Sequence, residues 1–201
     1  MDALSVIGAY LLGAIPFSQI VSVRMHQADL RAVGTGTVSG TGLYRVGGLW
    51  AVILGGGLDV AKGALAALLA GDDHTLAVLV SAAVVIGHCW SVFLRGAGGR
   101  GLSPAMGALA VLYWPGAVLL LAGLAIGRLV KETGLAAFVA DLLLVVLLAT
   151  FQGVWGLSLG LAVVLPMLLK RLLGNTRHDP AGDLRIYRDR LLYDADQHGA
   201  A

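Results

Sequence analysis

The stretch LSPAMGALAVLYWPGAVLLLAGLAIG, Leu102 to Gly127, decides the fold. It is apolar throughout and longer than the roughly 20 residues that a helix needs to cross a bilayer. Taken as one crossing, it puts Arg128, Lys131 and the basic C-terminal tail on the side opposite the first two basic loops. Taken as two crossings that turn at Tyr113-Trp114-Pro115-Gly116, it puts every basic loop on one side. None of the fourteen Lys and Arg residues lies in the short connections near 71–75, 113–116 and 150–153. Charge therefore predicts seven transmembrane helices rather than six, with the N-terminus outside and the C-terminus cytoplasmic.

The rest of the chain agrees with an all-α, polytopic integral membrane protein. Its 201 residues are 58% hydrophobic and only 13% charged, too apolar for a soluble domain. Further apolar runs cover about 3–21, 48–70, 75–94, 134–150 and 152–169. The two halves of 102–127 are short, so the bilayer must be locally thin or these helices only partly lipid-exposed. The 29 glycines suit a bundle whose backbones approach closely. A single cysteine, Cys89, excludes an internal disulfide, and no Cys/His group has metal-ligand spacing. Met1-Asp2 lacks the basic region of a cleavable signal, so the first apolar run reads as a retained helix. The expected organisation is a transmembrane domain, 1–173, and a charged cytoplasmic tail, 174–201. Within that tail DLRIYRDRLLYD, 183–194, is a candidate for a short amphipathic helix on the membrane surface.

With this orientation the polar, glycine-rich loops 22–47, 95–101 and 128–133 share the cytoplasmic face. One contains GTGTVSGTGLYR, Gly34 to Arg45, with glycines for close backbone approach, Thr35, Thr37, Ser39 and Thr41 as hydroxyls, and Arg45 as a cation. Another, GHCWSVFLRGAGGRG, Gly87 to Gly101, lets backbone N–H groups converge on an anion beside Arg100. Each loop could also be a plain connector, with its arginines as positive-inside anchors; two of them on one face favour a phosphate cradle. In GLDVAKGAL, Asp59 and Lys62 share one helix face inside the second span, either as an ion pair bracing the site or as ligand contacts. His88 is open between helix capping and acid–base work, because no Ser or Cys nucleophile with a carboxylate partner accompanies it. Asp141 is an intramembrane carboxylate with no assigned role.

These motifs resemble the bacterial acyl-phosphate:glycerol-3-phosphate acyltransferases, the PlsY family. The family form LRxxGSGNxGxTNxxR is met by Leu30, Arg31, Gly34, Gly36, Thr41 and Arg45 at identical spacing. LDxxKG is met by Leu58, Asp59, Lys62 and Gly63, and GHxxPVFxxFKGGKG by Gly87, His88, Val92, Phe93, Gly98, Gly99 and Gly101, with Arg100 in place of lysine. Thr35 replaces a serine, Thr37 and Gly42 replace asparagines, Ser39 replaces a glycine, Ser91 a proline and Ala97 a lysine. The third motif, a serine-bearing loop after a basic residue, is RLVKETGLAA, where Thr133 is the hydroxyl. A final HRENI-like motif is absent before Lys170-Arg171-Leu172-Leu173.

The resemblance implies transfer of a fatty acyl group from acyl phosphate to the 1-hydroxyl of glycerol 3-phosphate, giving lysophosphatidic acid and phosphate in phospholipid biosynthesis. It implies Thr35, Arg45, Arg100 and His88 as catalytic residues. Gly34, Gly36, Thr37, Thr41, Gly98, Gly99 and Gly101 would hold substrate phosphate, with Asp59 and Lys62 in support. It implies no cofactor, no metal and no nucleic acid. Its partners would be the two substrates, the lipid bilayer of the bacterial inner membrane and an enzyme that forms acyl phosphate; the active site would face the cytoplasm. An acyl phosphate is already an activated mixed anhydride, so the protein's task is to bring two phosphates together and orient a hydroxyl. Two other readings stay open at this point: a divergent paralogue that has lost the activity or uses another acceptor, and a small anion transporter, whose polar path through the bilayer the bare outer loops do not suggest.

Overall fold

The computed structural model describes residues 2–33, 35–175 and 184–194, and all regular structure among them is helical. Among the described residues, four stretches are long and apolar enough to cross a membrane: Ala3–His26, Gly40–Leu68, His74–Leu94 and Thr133–Leu173. Large apolar side chains such as Leu4, Trp50, Leu129 and Val154 point outward, at 77%, 79%, 82% and 82% exposure, as a lipid-facing surface requires.

The first stretch is two helices, α1 (Asp2–Ala14) and α2 (Phe17–His26), separated at Pro16. Proline has no N–H to donate back along the helix, so the carbonyls around residue 14 need partners from elsewhere. The second stretch begins with α3 (Gly40–Ala51), which is broken at Gly48 (φ 67, ψ −161). Leu43 on its first part lies against Gly55, so those residues fold back on the helix that follows. That helix continues through a wider turn, Val52–Gly56, into α4 (Gly57–Leu68).

Helix α5 (His74–Cys89) begins at Asp73, whose side chain accepts from the N–H groups of Thr75 and Leu76. After the glycine loop come α6 (Leu102–Leu112) and α7 (Trp114–Leu129), and the chain turns between them at Tyr113. The turn expected at Tyr113–Gly116 is therefore present, with Pro115 in the first turn of α7, where its missing donor costs nothing. Helix α8 (Thr133–Leu173) is not one rod. It breaks at Gly153 (φ 61, ψ −144), and the second leg returns along the first. A Cβ on Gly160 would lie 3.2 Å from the Val145 Cα, and Arg171 donates to the Gly134 carbonyl at 3.0 Å. Both contacts pair residues whose distances from the break along the chain differ by a single residue. The last element, α9 (Leu184–Tyr193), packs on α8.

Two helix crossings set the bundle. A Cβ on Gly13 of α1 would lie 2.2 Å from the Val84 carbonyl of α5, and one on Gly87 of α5 would lie 2.1 Å from the Tyr10 carbonyl of α1. Helices α4 and α6 cross in the same reciprocal way, Gly63 against Pro104 and Gly107 against Val60. In lipid, such small-residue contacts replace the hydrophobic drive as the source of helix association. Gly107→Val is therefore expected to cost about 2–3 kcal/mol by overpacking, roughly 5–10 °C of thermal midpoint in detergent. Gly8→Val, where a Cβ meets nothing within 4 Å, should leave the midpoint unchanged. Equal midpoints for the two variants would exclude this account.

The main core joins α5, α6, α7 and both legs of α8 through Val84, Leu109, Leu120, Leu144, Leu148, Leu159 and Val163. A smaller cluster of Val21, Leu30, Val38, Leu43 and Ala51 ties α2, the loop after it and α3 together. It carries the first glycine loop against the second.

Candidate active site

The break at Pro16 organises one side of the site. Lys62 of α4 donates to the Gly13 and Ile15 carbonyls at 2.7 and 2.8 Å, and Ser91 donates to the Ala14 carbonyl at 2.5 Å. One turn earlier on α4, Asp59 accepts from the Ser18 hydroxyl at 2.6 Å and from the Ser18 N–H at 3.4 Å. The lysine thus caps the carboxyl end of α1 and the aspartate caps the amino end of α2, each with the charge its helix end favours. The two are joined at 2.7 Å and both are 1% exposed. Asp59 also stands 3.6 Å from the His88 Nδ1 at the end of α5. The structure thus gives the Asp59–Lys62 pair a bracing role, while Asp59 still reaches the wall of the adjoining cavity.

The loop after α2 is pinned by Asp29, which accepts from Gln19 at 2.8 Å and pairs with Arg31 at 2.7 Å. The Arg31 guanidinium holds the Asp29 carboxyl down to about 2. A lowered carboxyl stabilises the fold above its ordinary range, and that contribution is lost as the pH falls toward 2. The loop then runs beside the second glycine loop. Val38 N–H donates to the Gly98 carbonyl at 3.2 Å, and Gly99 N–H donates to the His88 carbonyl at 3.0 Å. Asn175, just past α8, clamps the two loops: its amide donates to the Gly36 and Gly98 carbonyls at 3.0 and 2.8 Å and accepts from the Gly98 N–H at 3.2 Å.

These elements surround a cavity of about 420 Å³. Its polar walls carry Asp59, His88, Thr41 and Ser39 of the α3 start, Arg100, Arg128, Arg171 and Asp194; its apolar walls carry Val52, Val60, Met106, Leu121, Leu124 and Met167. Ser39 opens α3 by accepting from the Gly42 N–H at 3.2 Å, and the first turn of α3 faces the cavity, a position that favours anions. Arg100 is held by a bond to the Lys170 carbonyl at 2.6 Å and an ion pair with Asp194 at 2.6 Å. Burial pulls the Arg100 pKa down from its ordinary value, and the Asp194 carboxylate opposes this. The guanidinium of Arg128 lies 4.2 Å from the ring centre of Tyr44. Arg171 donates to the carbonyls of Gly134 and Leu191, at 3.0 and 3.3 Å, and its Nε is 3.9 Å from Asp141.

Of the thirteen residues anticipated from the sequence, four reach this cavity: Thr41, Asp59, His88 and Arg100. Eight do not line it. Arg45 is exposed. Thr35 and Thr37 share a hydroxyl hydrogen bond of 3.0 Å, Thr37 being buried, and Gly36 is engaged by Asn175. Lys62 points to the α1 carbonyls. Gly98, Gly99 and Gly101 lie against the end of α5: a Cβ on Gly98 would fall 2.3 Å from the His88 carbonyl, and one on Gly99 would fall 2.1 Å from the His88 Nε2. Their small size lets the loop approach His88, and it is Arg100, between them, that enters the cavity. Gly34 lies outside the described residues.

Sequence reasoning missed Ser18, Tyr44, Arg128, Asn175 and Asp194, and left Arg171 and Asp141 without roles. Ser18 lies in the first turn of α2, and its partner Asp59 comes from α4, so no local pattern marks it. The residues Asn175 and Asp194 are brought to the site by the return of α8 and the docking of α9, which no local pattern announces.

The arrangement, a lipid-facing bundle with cations and apolar side chains lining one cavity, suits a phosphorylated amphiphile. A family model described as Glycerol-3-phosphate acyltransferase matches residues 3–179. The chain belongs to the glycerol-3-phosphate acyltransferase family. The Glycerol-3-phosphate acyltransferase of Laribacter hongkongensis (strain HLHK9) is 38% identical over 179 residues, 83% of this chain and 86% of that one. The one of Gluconobacter oxydans (strain 621H) is 35% identical over 153 residues, 72% of each. Among solved structures, PlsY, an integral membrane glycerol 3-phosphate acyltransferase, in its glycerol 3-phosphate form is similar with a TM-score of 0.76 at 28% identity, covering 85% of this chain and 88% of that chain. Its lysophosphatidic acid form is similar with a TM-score of 0.73 at 25% identity. Membership in this acyltransferase family decides between enzyme and transporter in favour of the enzyme.

Proposed function

We propose that this member of the family transfers an acyl group from acyl phosphate to the 1-hydroxyl of glycerol 3-phosphate in the cavity described above. The observation that carries this is one cavity lined by Arg100, by the His88–Asp59 pair and by apolar side chains, so that it offers a phosphate cation, a hydrogen-bonding pair and a groove for an acyl chain. Arg100, with Arg128 and the start of α3, neutralises the two phosphates, whose mutual repulsion would otherwise keep the substrates apart. His88, braced by Asp59, orients the glycerol hydroxyl. The hydroxyl oxygen attacks the acyl carbonyl carbon, the anhydride C–O bond breaks, and phosphate departs as the hydroxyl proton passes to a phosphate oxygen or to His88. Met106, Leu121 and Leu124 flank the acyl chain. Thr35, Thr37 and Arg45 support the loop from outside the cavity in this reading, and Gly36, Gly98, Gly99 and Gly101 supply close backbone approach.

The helices fit seven crossings: α1 with α2, the run Leu49 to α4, α5, α6, α7 and the two legs of α8. With the basic loops inward, the N-terminus lies outside, and the cavity and the C-terminal tail face the cytoplasm at the bacterial inner membrane. A partner enzyme would supply the acyl phosphate.

Purified protein in detergent, given acyl phosphate and glycerol 3-phosphate, is expected to release phosphate and form lysophosphatidic acid in equal amounts. Phosphate release without a lysolipid product would mean hydrolysis, and would exclude glycerol 3-phosphate as the acceptor.

A further inference from the structure

The match to the family model ends at residue 179, yet α9 beyond it reaches into the cavity. Asp194, at the end of α9, sets its carboxylate 2.6 Å from the Arg100 Nε. The Nη1 of the same guanidinium is committed to the Lys170 carbonyl at 2.6 Å. A phosphate that approached Arg100 through its Nε edge would have to take the place held by Asp194. We propose that α9 is an autoinhibitory gate: Asp194 holds Arg100 where a substrate phosphate would, and withdraws for turnover.

Polar contacts tie α9 to α8: Arg171 donates to the Leu191 carbonyl and Arg190 to the Leu173 carbonyl, each at 3.3 Å. Gly134 admits the backbone of Tyr193 in close approach. Arg185, Tyr187 and Arg188 face outward. A carboxylate and a phosphate cannot share one edge of a guanidinium, so the apparent dissociation constant for substrate rises as the reciprocal of the open fraction. The gate rests on the reading that Arg100 binds a substrate phosphate, and its test separates the two.

Initial rates of the full-length protein are to be measured against glycerol 3-phosphate for the parent, Asp194→Asn, Asp194→Glu, Arg100→Ala and the Asp194→Asn/Arg100→Ala double variant. Asp194→Asn is expected to lower KM roughly fivefold, the scale of one partly exposed ion pair, with kcat kept. Asp194→Glu should hold the parent's KM, and Asp194→Asn should change nothing once Arg100 is gone. An unchanged or raised KM for Asp194→Asn overturns the gate. An unchanged KM for Arg100→Ala overturns the phosphate reading beneath it. A readout free of variants is amide exchange across 184–193 in the parent protein: saturating glycerol 3-phosphate should speed it, and slower or equal exchange also overturns the gate.

Discussion

Replacing Arg100 by alanine is expected to lower kcat/KM for glycerol 3-phosphate by about 10²- to 10³-fold, the usual cost of removing one preorganised group from a charged transition state. Arg100 enters the cavity from a loop whose glycines lie against α5, so its guanidinium is placed by backbone packing rather than by its own side-chain preference. The site is partly shielded, which strengthens its interaction with an anion relative to water. Stability should change little. The Lys170 carbonyl keeps the Gly174 N–H as a donor at 3.0 Å, and Asp194, 25% exposed, can turn to solvent. Arg100→Lys retains the charge but not the two-pronged donor set, so it should recover only part of the loss. Lysophosphatidic acid formation, with a thermal midpoint for each variant, measures both effects. A loss below about tenfold at an unchanged midpoint would remove Arg100 from the chemistry, because a single charge-assisted contact to a phosphate is worth more than that.

Much of the fold was legible because it follows from charge and turn chemistry. The reversal at Tyr113 rests on a Pro-Gly pair within an apolar run and on where the arginines fall, and the structure turns there. The break near 150–153 was also visible as two runs, and Gly153 makes it. The segment at 183–194 is a helix in the structure, from Leu184 to Tyr193, and it docks on α8. The site was legible only in part. Motif spacing brought forward Arg100, His88, Thr41 and Asp59, which face one cavity, but the same spacing gave equal weight to Arg45 and the glycines, which do not. Spacing along a loop says which residues are near one another in the chain, not which side of the loop faces inward. The break at Pro16 was written in the sequence too. That its carbonyls would be met by Lys62, 47 residues on from Ile15, depends on α4 crossing there, and that crossing is set by packing.

That crossing makes the Asp59–Lys62 pair unlike an ordinary buried salt bridge. Lys62→Met should cost about 3–5 kcal/mol, the usual cost of leaving one buried charge alone, which for a chain of this size is a fall of roughly 6–20 °C in thermal midpoint. Asp59→Leu should cost a similar amount. For a simple buried pair, replacing both partners by apolar groups is often neutral or stabilising, because the desolvation of two charges is relieved together. Here the double replacement is expected to stay well below the parent. It would strand the Gly13 carbonyl and the Ser18 N–H at the Pro16 break and leave the Ile15 carbonyl with the Phe17 N–H as its donor, at about 1–3 kcal/mol for each group left buried and unpaired. Recovery of the double variant to within about 2 °C of the parent, in the same detergent, would show that the pair only neutralises itself and that the broken helix ends are satisfied by other means. A lasting deficit ties the stability of α1 and α2 to the same carboxylate that stands 3.6 Å from His88, so that the capping of a broken helix and the placing of the site's histidine are one structural requirement.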